Sequence, residues 1–312
     1  MAKKYVEIPV LLHGITPEDL PNSVTIQHNY QVLLDAIQGR FHQKKQPGFT
    51  GPAIEVMWGF ASGQSNQNDN LLANAELVVS QRVKSIESQV SDFTLNPLRQ
   101  MLYNEFRRLF LVGFADLLYY VSLDGENAVR EHVFNYIGEK IKAYLAPSAQ
   151  SYGVSLTFFA HSAGTIITHD FLYHLFRAKN SGEETDGIKY LRGLVSKGRL
   201  RVRRFYSMGS PITPAVFRAS SLLQKVTNGE LLNLAEMGFR ETDGLSNPRW
   251  VNFWDKDDIA AFPVEFLYNN ISKDGKKIVE DKYVDVGDGM PDTVHLQYWA
   301  NSALADYVVE TW

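Results

Sequence analysis

The fold of this chain is decided by a stretch near its middle, which reads Val154-Ser155-Leu156-Thr157-Phe158-Phe159-Ala160-His161-Ser162-Ala163-Gly164. Residues 154–159 are mostly apolar or β-branched and predict a buried strand, whereas residues 163–177 have the apolar spacing of a helix. A serine, Ser162, lies in the short turn between the two. The sequence therefore predicts a strand, a tight turn and a helix, with the serine at the turn.

Small residues on both sides of this serine favour a strained turn. Ala160 lies two residues before Ser162 and Gly164 two residues after it, so the backbone is able to pass close to the neighbouring helix and strand. The start of the helix then offers unpaired N–H groups and a positive dipole end to an anion near the serine oxygen. The pattern predicts Ser162 as a nucleophile. The alternative is an ordinary helix-capping serine.

The pentapeptide Ala160-His161-Ser162-Ala163-Gly164 resembles the nucleophile elbow of the α/β-hydrolase superfamily, with alanine in place of the usual first glycine. The resemblance is to the lipase- and esterase-like serine hydrolases of that superfamily. It implies an α/β-hydrolase fold and a chain order of serine, acid and then histidine. It also implies cleavage of a carboxylic ester through an acyl-enzyme, without a cofactor or a metal.

The first predicted strand, residues 6–12, ends in a pair that suits an oxyanion loop, His13-Gly14. A glycine after the strand lets the loop fold back over the sheet edge, so that the backbone N–H of Ile15 would point to the same place as the N–H of Ala163. Similar hydrolases have a His-Gly pair here. We therefore predict Ile15 and Ala163 as oxyanion donors. His13 itself is not assigned as the base, and the alternative is a simple turn glycine beside a histidine with no catalytic role.

Three aspartates compete for the acid after a late predicted strand, residues 250–254: Asp255, Asp257 and Asp258. A carboxylate just past a strand end is where the family has the group that orients the histidine. Similar hydrolases carry an aromatic-Pro pair a few residues further on, and alignment on Phe262-Pro263 selects Asp258. Alignment on the hydrophobic residue after the acid selects Asp257 instead. The prediction is Asp258, with Asp257 second and Asp255 third, and the unselected aspartates are expected to cap the turn.

Only one of the eight histidines, His295, follows the acid candidates. The chain order that the resemblance implies therefore makes His295 the base, which takes the proton of the serine and faces the acid with its other nitrogen. His161 is expected to support or pack the site. His169 and His174 are spaced five residues apart on one predicted helix, which is poor spacing for a shared metal, and no metal is predicted. Ser210 is a rival nucleophile in principle, although no helix follows it at once.

The rest of the chain alternates short β-branched runs with longer amphipathic segments, which predicts a mainly parallel sheet covered by helices on both faces. The predicted strands are 6–12, 53–58, 154–159, 203–207 and 250–254, and the predicted helices are 29–40, 126–145, 163–177 and 297–307. Residues 265–285 are expected to form a hairpin. We predict one α/β-hydrolase domain over residues 1–312, with a helical cap-like insertion at about 61–125 and a smaller insertion at about 212–248.

Composition excludes several classes of protein. The chain has 31 basic and 35 acidic residues and no cysteine, so a disulfide scaffold, a thiol nucleophile and thiolate metal sites are excluded. A net charge of −4 disfavours a nucleic-acid partner. The arginines at 199–204 are interpreted as the solvated start of a strand.

No targeting signal is recognised, since Glu7 and Pro9 interrupt the apolar run near the start. The longest apolar region, 109–123, contains Asp116 and is too short and polar to span a bilayer. We expect a cytoplasmic protein without a membrane span.

The resemblance implies a small-molecule ester as the partner, and residues 109–118, which are rich in leucine and phenylalanine, suggest a lipid-like one. The same residues would also suit a protein core. An acyltransferase, a thioesterase or a peptidase would use the same catalytic residues. A hydrolase fold kept as a non-catalytic binding module is the alternative from a different class.

Overall fold

At the centre of the structure lies a six-stranded sheet in which every described pairing is parallel. The computed structural model describes residues 4–14, 23–58, 123–146, 152–177, 184–215, 220–239, 245–272, 275–287 and 291–312. The strands are β1 (Lys4–Leu12), β2 (Ile54–Val56), β3 (Tyr152–His161), β4 (Leu200–Met208), β5 (Trp250–Trp254) and β6 (Val279–Tyr283). They lie across the sheet in the order β2-β1-β3-β4-β5-β6. The predicted α/β class with a mainly parallel sheet is confirmed.

Parallel pairing requires long crossover connections, and α-helices lie in all of them except the one between β5 and β6, which contains a 3₁₀ helix in its described residues. The α-helices of the described residues are α1 (Ser23–Gln43), α2 (Leu123–Leu145), α3 (Ala163–Phe176), α4 (Asp186–Ser196), α5 (Ile212–Ala215), α6 (Ser220–Thr227), α7 (Pro291–Leu296) and α8 (Ser302–Glu310). Short 3₁₀ helices cover Leu234–Met237, Glu265–Leu267 and Gln297–Ala300. The single predicted helix 297–307 is therefore divided, because the Asn301 side chain accepts the N–H of Leu304 at 2.9 Å and caps a new helix.

Two hydrophobic cores lie on opposite faces of the sheet. Successive residues of a strand point to opposite faces, so Phe158 belongs to the core with α2, α3 and α4. Its neighbour Phe159 belongs to the core with α1 and α8. Residues 154–160 are all fully buried, Ser155 and Thr157 included, because both faces of this central parallel strand are covered.

The order of the strands creates a topological switch point, where a crevice is expected at one end of the sheet. After β1 the chain crosses to β2 on one side, whereas β3 lies on the other side of β1. In open α/β sheets, ligands bind outside the carboxyl ends of the strands at such a switch point. β1 and β3 are paired as far as Leu12 and Ala160, so His13 and His161 come next at this crevice.

The predicted hairpin at 265–285 is wrong. Residues Glu265–Leu267 form a 3₁₀ helix, and residues 279–283 form β6, which pairs in parallel with β5 from Trp250↔Val279 to Trp254↔Tyr283. Among the described residues of the turn, antiparallel pairing is limited to one isolated bridge, Ile271↔Lys277. The turn residues predict a local reversal of the chain. The strand after the turn, β6, pairs instead with β5 at the edge of the sheet.

The interpretation of the arginines at 199–204 as solvated is wrong for Arg204. Its guanidinium is buried and donates to the carbonyl of Ser246 at 3.1 Å and to the Ser246 hydroxyl at 2.9 Å. Arg203 is partly buried and pairs with Glu7 at 3.2 Å. Because both faces of β4 are covered, its polar side chains find partners inside the protein rather than in water.

The two predicted insertions are described only in part. The cap-like segment 61–125 lies outside the described residues except for 123–125, which begin α2. The apolar residues 109–118 lie outside them as well. The segment 212–248 contains α5, α6 and the 3₁₀ helix Leu234–Met237 in its described parts. None of the helices in the described ranges has both the length and the apolar character that crossing a membrane demands.

Candidate active site

The turn at Ser162 has a strained backbone. β3 ends at His161 and α3 begins at Ala163, and Ser162 between them has φ 51° and ψ −129°. Lys45 is the other described non-glycine residue with positive φ. Such a conformation costs about 1–3 kcal/mol and persists only when its surroundings impose it. Here the N–H of Ser162 donates to the carbonyl of Met208 at 2.9 Å, which ties the turn to the end of β4.

Two glycines allow the backbone to close around this turn. A Cβ on Gly164 would lie 2.4 Å from the carbonyl oxygen of His13, so only glycine lets α3 begin this close to the end of β1. A Cβ on Gly14 would lie 2.5 Å from the Cβ of Ser162 and 3.1 Å from its Oγ. The backbone of Gly14 therefore passes directly against the serine hydroxyl.

Of the two predicted oxyanion donors, Ala163 lies among the residues that the structure describes. Ile15 lies outside the described residues. Ala163 is the first residue of α3, and its N–H has no carbonyl four residues earlier within the helix to bind. The N–H of Ser162 is already bonded to Met208, so Ala163 is the first N–H of this turn that can face an anion.

His295 and Asp258 form a buried pair. The Nδ1 of His295 lies 2.9 Å from both carboxylate oxygens of Asp258, and the side chain of His295 is 8% exposed. Burial by itself raises the pKa of Asp258, but the His295 ring, the N–H of Ala260 and the Tyr298 hydroxyl outweigh it and bring the pKa below its ordinary value. Asp258 is therefore a carboxylate at neutral pH and occupies Nδ1. The other ring nitrogen of His295, Nε2, is left to exchange a proton.

The other two aspartates of this loop interact with groups other than His295. Asp257 is exposed and pairs with Lys256 at 2.5 Å. Asp255 is buried and accepts the N–H groups of Val286 at 2.8 Å and of Asp257 at 3.0 Å. Of the three candidates, Asp258 is the one that the structure brings to His295. Asp255 caps the turn, as expected for an unselected aspartate.

His161 links the serine turn to the histidine. Its Nε2 lies 2.6 Å from the main-chain carbonyl of His295, and the two rings are 4.6 Å apart. Because a carbonyl only accepts, His161 must carry its proton on Nε2 and donate it. Burial, and next the charge of His295, lower the pKa of His161 to about 3, so the ring is neutral. His161 therefore holds the backbone of His295, which is a supporting role of the kind that the sequence predicted for it.

His13 is held by the end of the neighbouring strand β2. Its Nε2 accepts the N–H of Trp58 at 3.1 Å, so its Nδ1 carries the proton and donates to the carbonyl of Gly14 at 2.5 Å. Burial lowers the pKa of His13 to about 4, which keeps the ring neutral. The indole of Trp58 stacks on this ring and donates to the carbonyl of His13 at 2.8 Å. His13 thus secures the loop that follows β1, and no local pattern in the sequence marked Trp58 as its partner.

Ser210 does not act as a rival nucleophile in this arrangement, because it is fully buried. Its hydroxyl lies 2.9 Å from the hydroxyl of Thr165 and 3.3 Å from the N–H of Ile212. Ser162 is the serine of the described site that lies at the crevice.

Metal-ligating groups do not cluster in the described part of the chain, where no set of three or more His, Asp or Glu side chains is arranged to hold an ion. The site consists of a strained serine, a buried His–Asp pair and two supporting histidines at the carboxyl ends of the strands. No protein-family model matches this chain, and no curated protein is significantly similar to it, so its function must be argued from this geometry.

Proposed function

We propose that the protein is a serine hydrolase of the α/β-hydrolase type, which cleaves a carboxylic ester through an acyl-enzyme. The observation that carries the proposal is the buried His295–Asp258 pair, which His161 contacts directly before the strained turn at Ser162. A helix-capping serine would not need this backbone conformation, and the side chain of Ser162 makes no capping hydrogen bond to α3. Strain of this kind is characteristic of a nucleophile exposed at the top of a sheet.

The order of the three residues along the fold supports the same proposal. The chain order of serine, acid and histidine follows β3, β5 and β6 respectively, and all three residues follow carboxyl ends of parallel strands. The serine follows β3 at the switch point, where a bound ester would reach both the hydroxyl and the helix start. A family assignment beyond the α/β class is part of this proposal.

The proposed reaction has two halves. The Oγ of Ser162 attacks the ester carbonyl while Nε2 of His295 takes its proton, and the tetrahedral intermediate collapses when that proton passes to the leaving alcohol. A water molecule then attacks the acyl-enzyme, again losing its proton to His295, and the acid is released as Ser162 recovers its proton. Asp258 keeps the proton of the neutral ring on Nδ1 and stabilises the imidazolium that forms.

The negative oxygen of each tetrahedral intermediate would be bound by backbone N–H groups. Ala163 supplies one from the start of α3, where the helix dipole also favours an anion. Ile15 remains the predicted second donor. Gly14, which passes against the Ser162 hydroxyl, is the residue directly before Ile15 in the sequence.

An apolar substrate is favoured by the residues that directly follow the acid and the base. Ile259 comes after Asp258 and is 42% exposed, and Leu296 comes after His295 and is 43% exposed. Exposed apolar side chains next in sequence to the acid and the base suit the acyl or alcohol part of an apolar ester. Chain length can be profiled with p-nitrophenyl esters, and a preference for acetate over longer acyl chains would contradict this part of the proposal.

The test of the reaction is labelling with a fluorophosphonate probe, followed by mass spectrometry of the modified peptide. We expect one adduct, on Ser162, which disappears in Ser162→Ala while the circular dichroism spectrum is unchanged. An adduct on another serine, or esterase turnover in Ser162→Ala close to that of the wild type, would overturn the proposal.

A further inference from the structure

Two hydroxyl side chains, those of Thr165 and Ser210, are buried behind Ser162 and have no part in the proposed reaction. Both residues are fully inaccessible to solvent. Thr165 Oγ1 lies 2.6 Å from the carbonyl oxygen of Ser162 and 2.9 Å from Ser210 Oγ. Ser210 Oγ in turn lies 3.3 Å from the backbone nitrogen of Ile212. The three contacts form a continuous chain that ends at the nucleophile's own carbonyl.

The direction of every hydrogen bond in this chain follows from its two ends. A carbonyl only accepts, so the proton of Thr165 is used on Ser162. A backbone N–H only donates, so Ile212 donates to Ser210. The remaining contact must therefore be donated by the Ser210 hydroxyl to Thr165. Each hydroxyl donates once and accepts once, and neither is free to rotate to another partner without breaking the chain.

This chain of hydrogen bonds fixes the direction of the peptide group that joins Ser162 to Ala163. The carbonyl of Ser162 accepts a second hydrogen bond from the N–H of Thr165 at 2.9 Å, so two donors fix its direction. In a planar trans peptide the N–H of Ala163 points opposite to that carbonyl. The carbonyl points into the protein toward Thr165, and the N–H therefore points outward beyond the start of α3.

We propose that Thr165 and Ser210 are positioning residues, which aim the N–H of Ala163 at the oxyanion of the tetrahedral intermediate. The inference rests on the proposed function. An oxyanion donor is effective when its direction is set before charge develops, because no reorganisation is then needed during the reaction. The turn alone leaves this peptide under backbone strain, and the hydroxyl chain supplies the restraint that keeps its orientation.

The test compares Thr165→Val, which removes the hydroxyl at nearly constant shape, with Thr165→Ser, which keeps it. We expect Thr165→Val to lower kcat roughly 10- to 50-fold with KM within about twofold of the wild type, since loss of an entire donor costs about 10²–10³. Thr165→Ser should stay within about threefold of the wild type. A butylboronic acid, which forms a tetrahedral anion on an activated serine, should bind more weakly to Thr165→Val by the same factor as kcat/KM falls.

Ser210→Ala provides a second variant that does not depend on the fold tolerating a valine. It should lower kcat about threefold alone and add little to Thr165→Val, because the chain is already broken there. Wild-type kcat in Thr165→Val, equal impairment in Thr165→Ser, or a loss confined to KM would each overturn the inference. A wild-type protein that neither reacts with a fluorophosphonate nor cleaves an ester would instead overturn the proposed function, and this inference with it.

Discussion

His161 donates its Nε2 proton to the main-chain carbonyl of His295 at 2.6 Å, so the residue before the proposed nucleophile, Ser162, holds the backbone of the proposed base. The two residues are 134 positions apart in the chain. This contact joins two distant parts of the site, since His161 ends β3 directly before Ser162 and His295 lies in the segment after β6. A buried neutral histidine thereby ties the end of β3 to the backbone of His295.

Replacing His161 should affect both stability and turnover. His161→Ala leaves the carbonyl of His295 buried without this donor, which typically costs about 1–3 kcal/mol of unfolding free energy. We expect kcat to fall at least tenfold, because the base is no longer held beside Ser162. Urea unfolding and ester hydrolysis measure the two effects. His161→Gln, which keeps an N–H donor, is the control, and an active His161→Ala with wild-type stability would contradict the assignment.

One matched pair of variants should distinguish Asp258, the proposed acid, from its neighbour Asp257. Asp258→Asn removes the charge that faces His295 and favours the wrong tautomer, so kcat should fall roughly 10³- to 10⁴-fold. Asp257→Asn changes the exposed carboxylate next to it and should leave kcat within about twofold. Steady-state kinetics on both proteins decides the question, and a greater loss in Asp257→Asn would reverse the choice made between them.

The free energy of unfolding should decrease as the pH falls below about 6.5, because the folded protein contains buried neutral histidines. Burial lowers the pKa of His13 to about 4, whereas in the unfolded chain it titrates near its ordinary value of 6.5. Between these values the unfolded state binds a proton that the folded state does not, so stability rises with pH across this window and is lost as pH falls. One such group contributes a slope of up to about 1.4 kcal/mol per pH unit.

The slope can be measured by urea unfolding at several values between pH 4.5 and 7.5. His13→Gln removes the titrating ring. Its unfolding free energy should therefore depend less steeply on pH than that of the wild type, because unfolding takes up about one proton fewer. His28 lies on an exposed stretch of α1, and His28→Gln serves as the matched control for the same substitution at the surface. Identical slopes in the wild type and His13→Gln would contradict the buried neutral state of His13.

Gly164→Ala should disrupt the contact between α3 and β1. The new Cβ would lie 2.4 Å from the carbonyl oxygen of His13 and 2.9 Å from that of Leu12, and backbone atoms cannot move aside alone. We expect a loss of about 1–3 kcal/mol in unfolding free energy together with most of the activity. Gly193→Ala in α4 is the control, since nothing lies within 4 Å of its Cβ, and it should stabilise the protein by about 0.5–1 kcal/mol. Equal stability of Gly164→Ala and the wild type would refute the close approach.

Much of the central fold is predictable because its patterns are local. Residues 154–159 read as a buried strand, and Ser162 with its small neighbours reads as a tight turn before a helix. These features depend on residues within a few positions of one another, so periodicity and turn chemistry reveal them. The order of residues along the chain and the family resemblance also narrowed the acid and the base to a few candidates. That argument left Asp257 and Asp258 both open, since adjacent residues share every local signal.

Tertiary structure decided what depends on which strand lies beside which. β6 belongs to the sheet edge because β5 offers an open row of hydrogen-bonding groups there, although its own sequence predicts half of a hairpin. The hydroxyls of Thr165 and Ser210 meet because the start of α3 lies beside the end of β4, although the two residues are 45 positions apart in the chain. Asp258 rather than Asp257 faces His295 because the loop after β5 turns one carboxylate inward and leaves the next in solvent. A local pattern records the period of a strand or helix, but only packing brings distant polar groups within hydrogen-bonding distance.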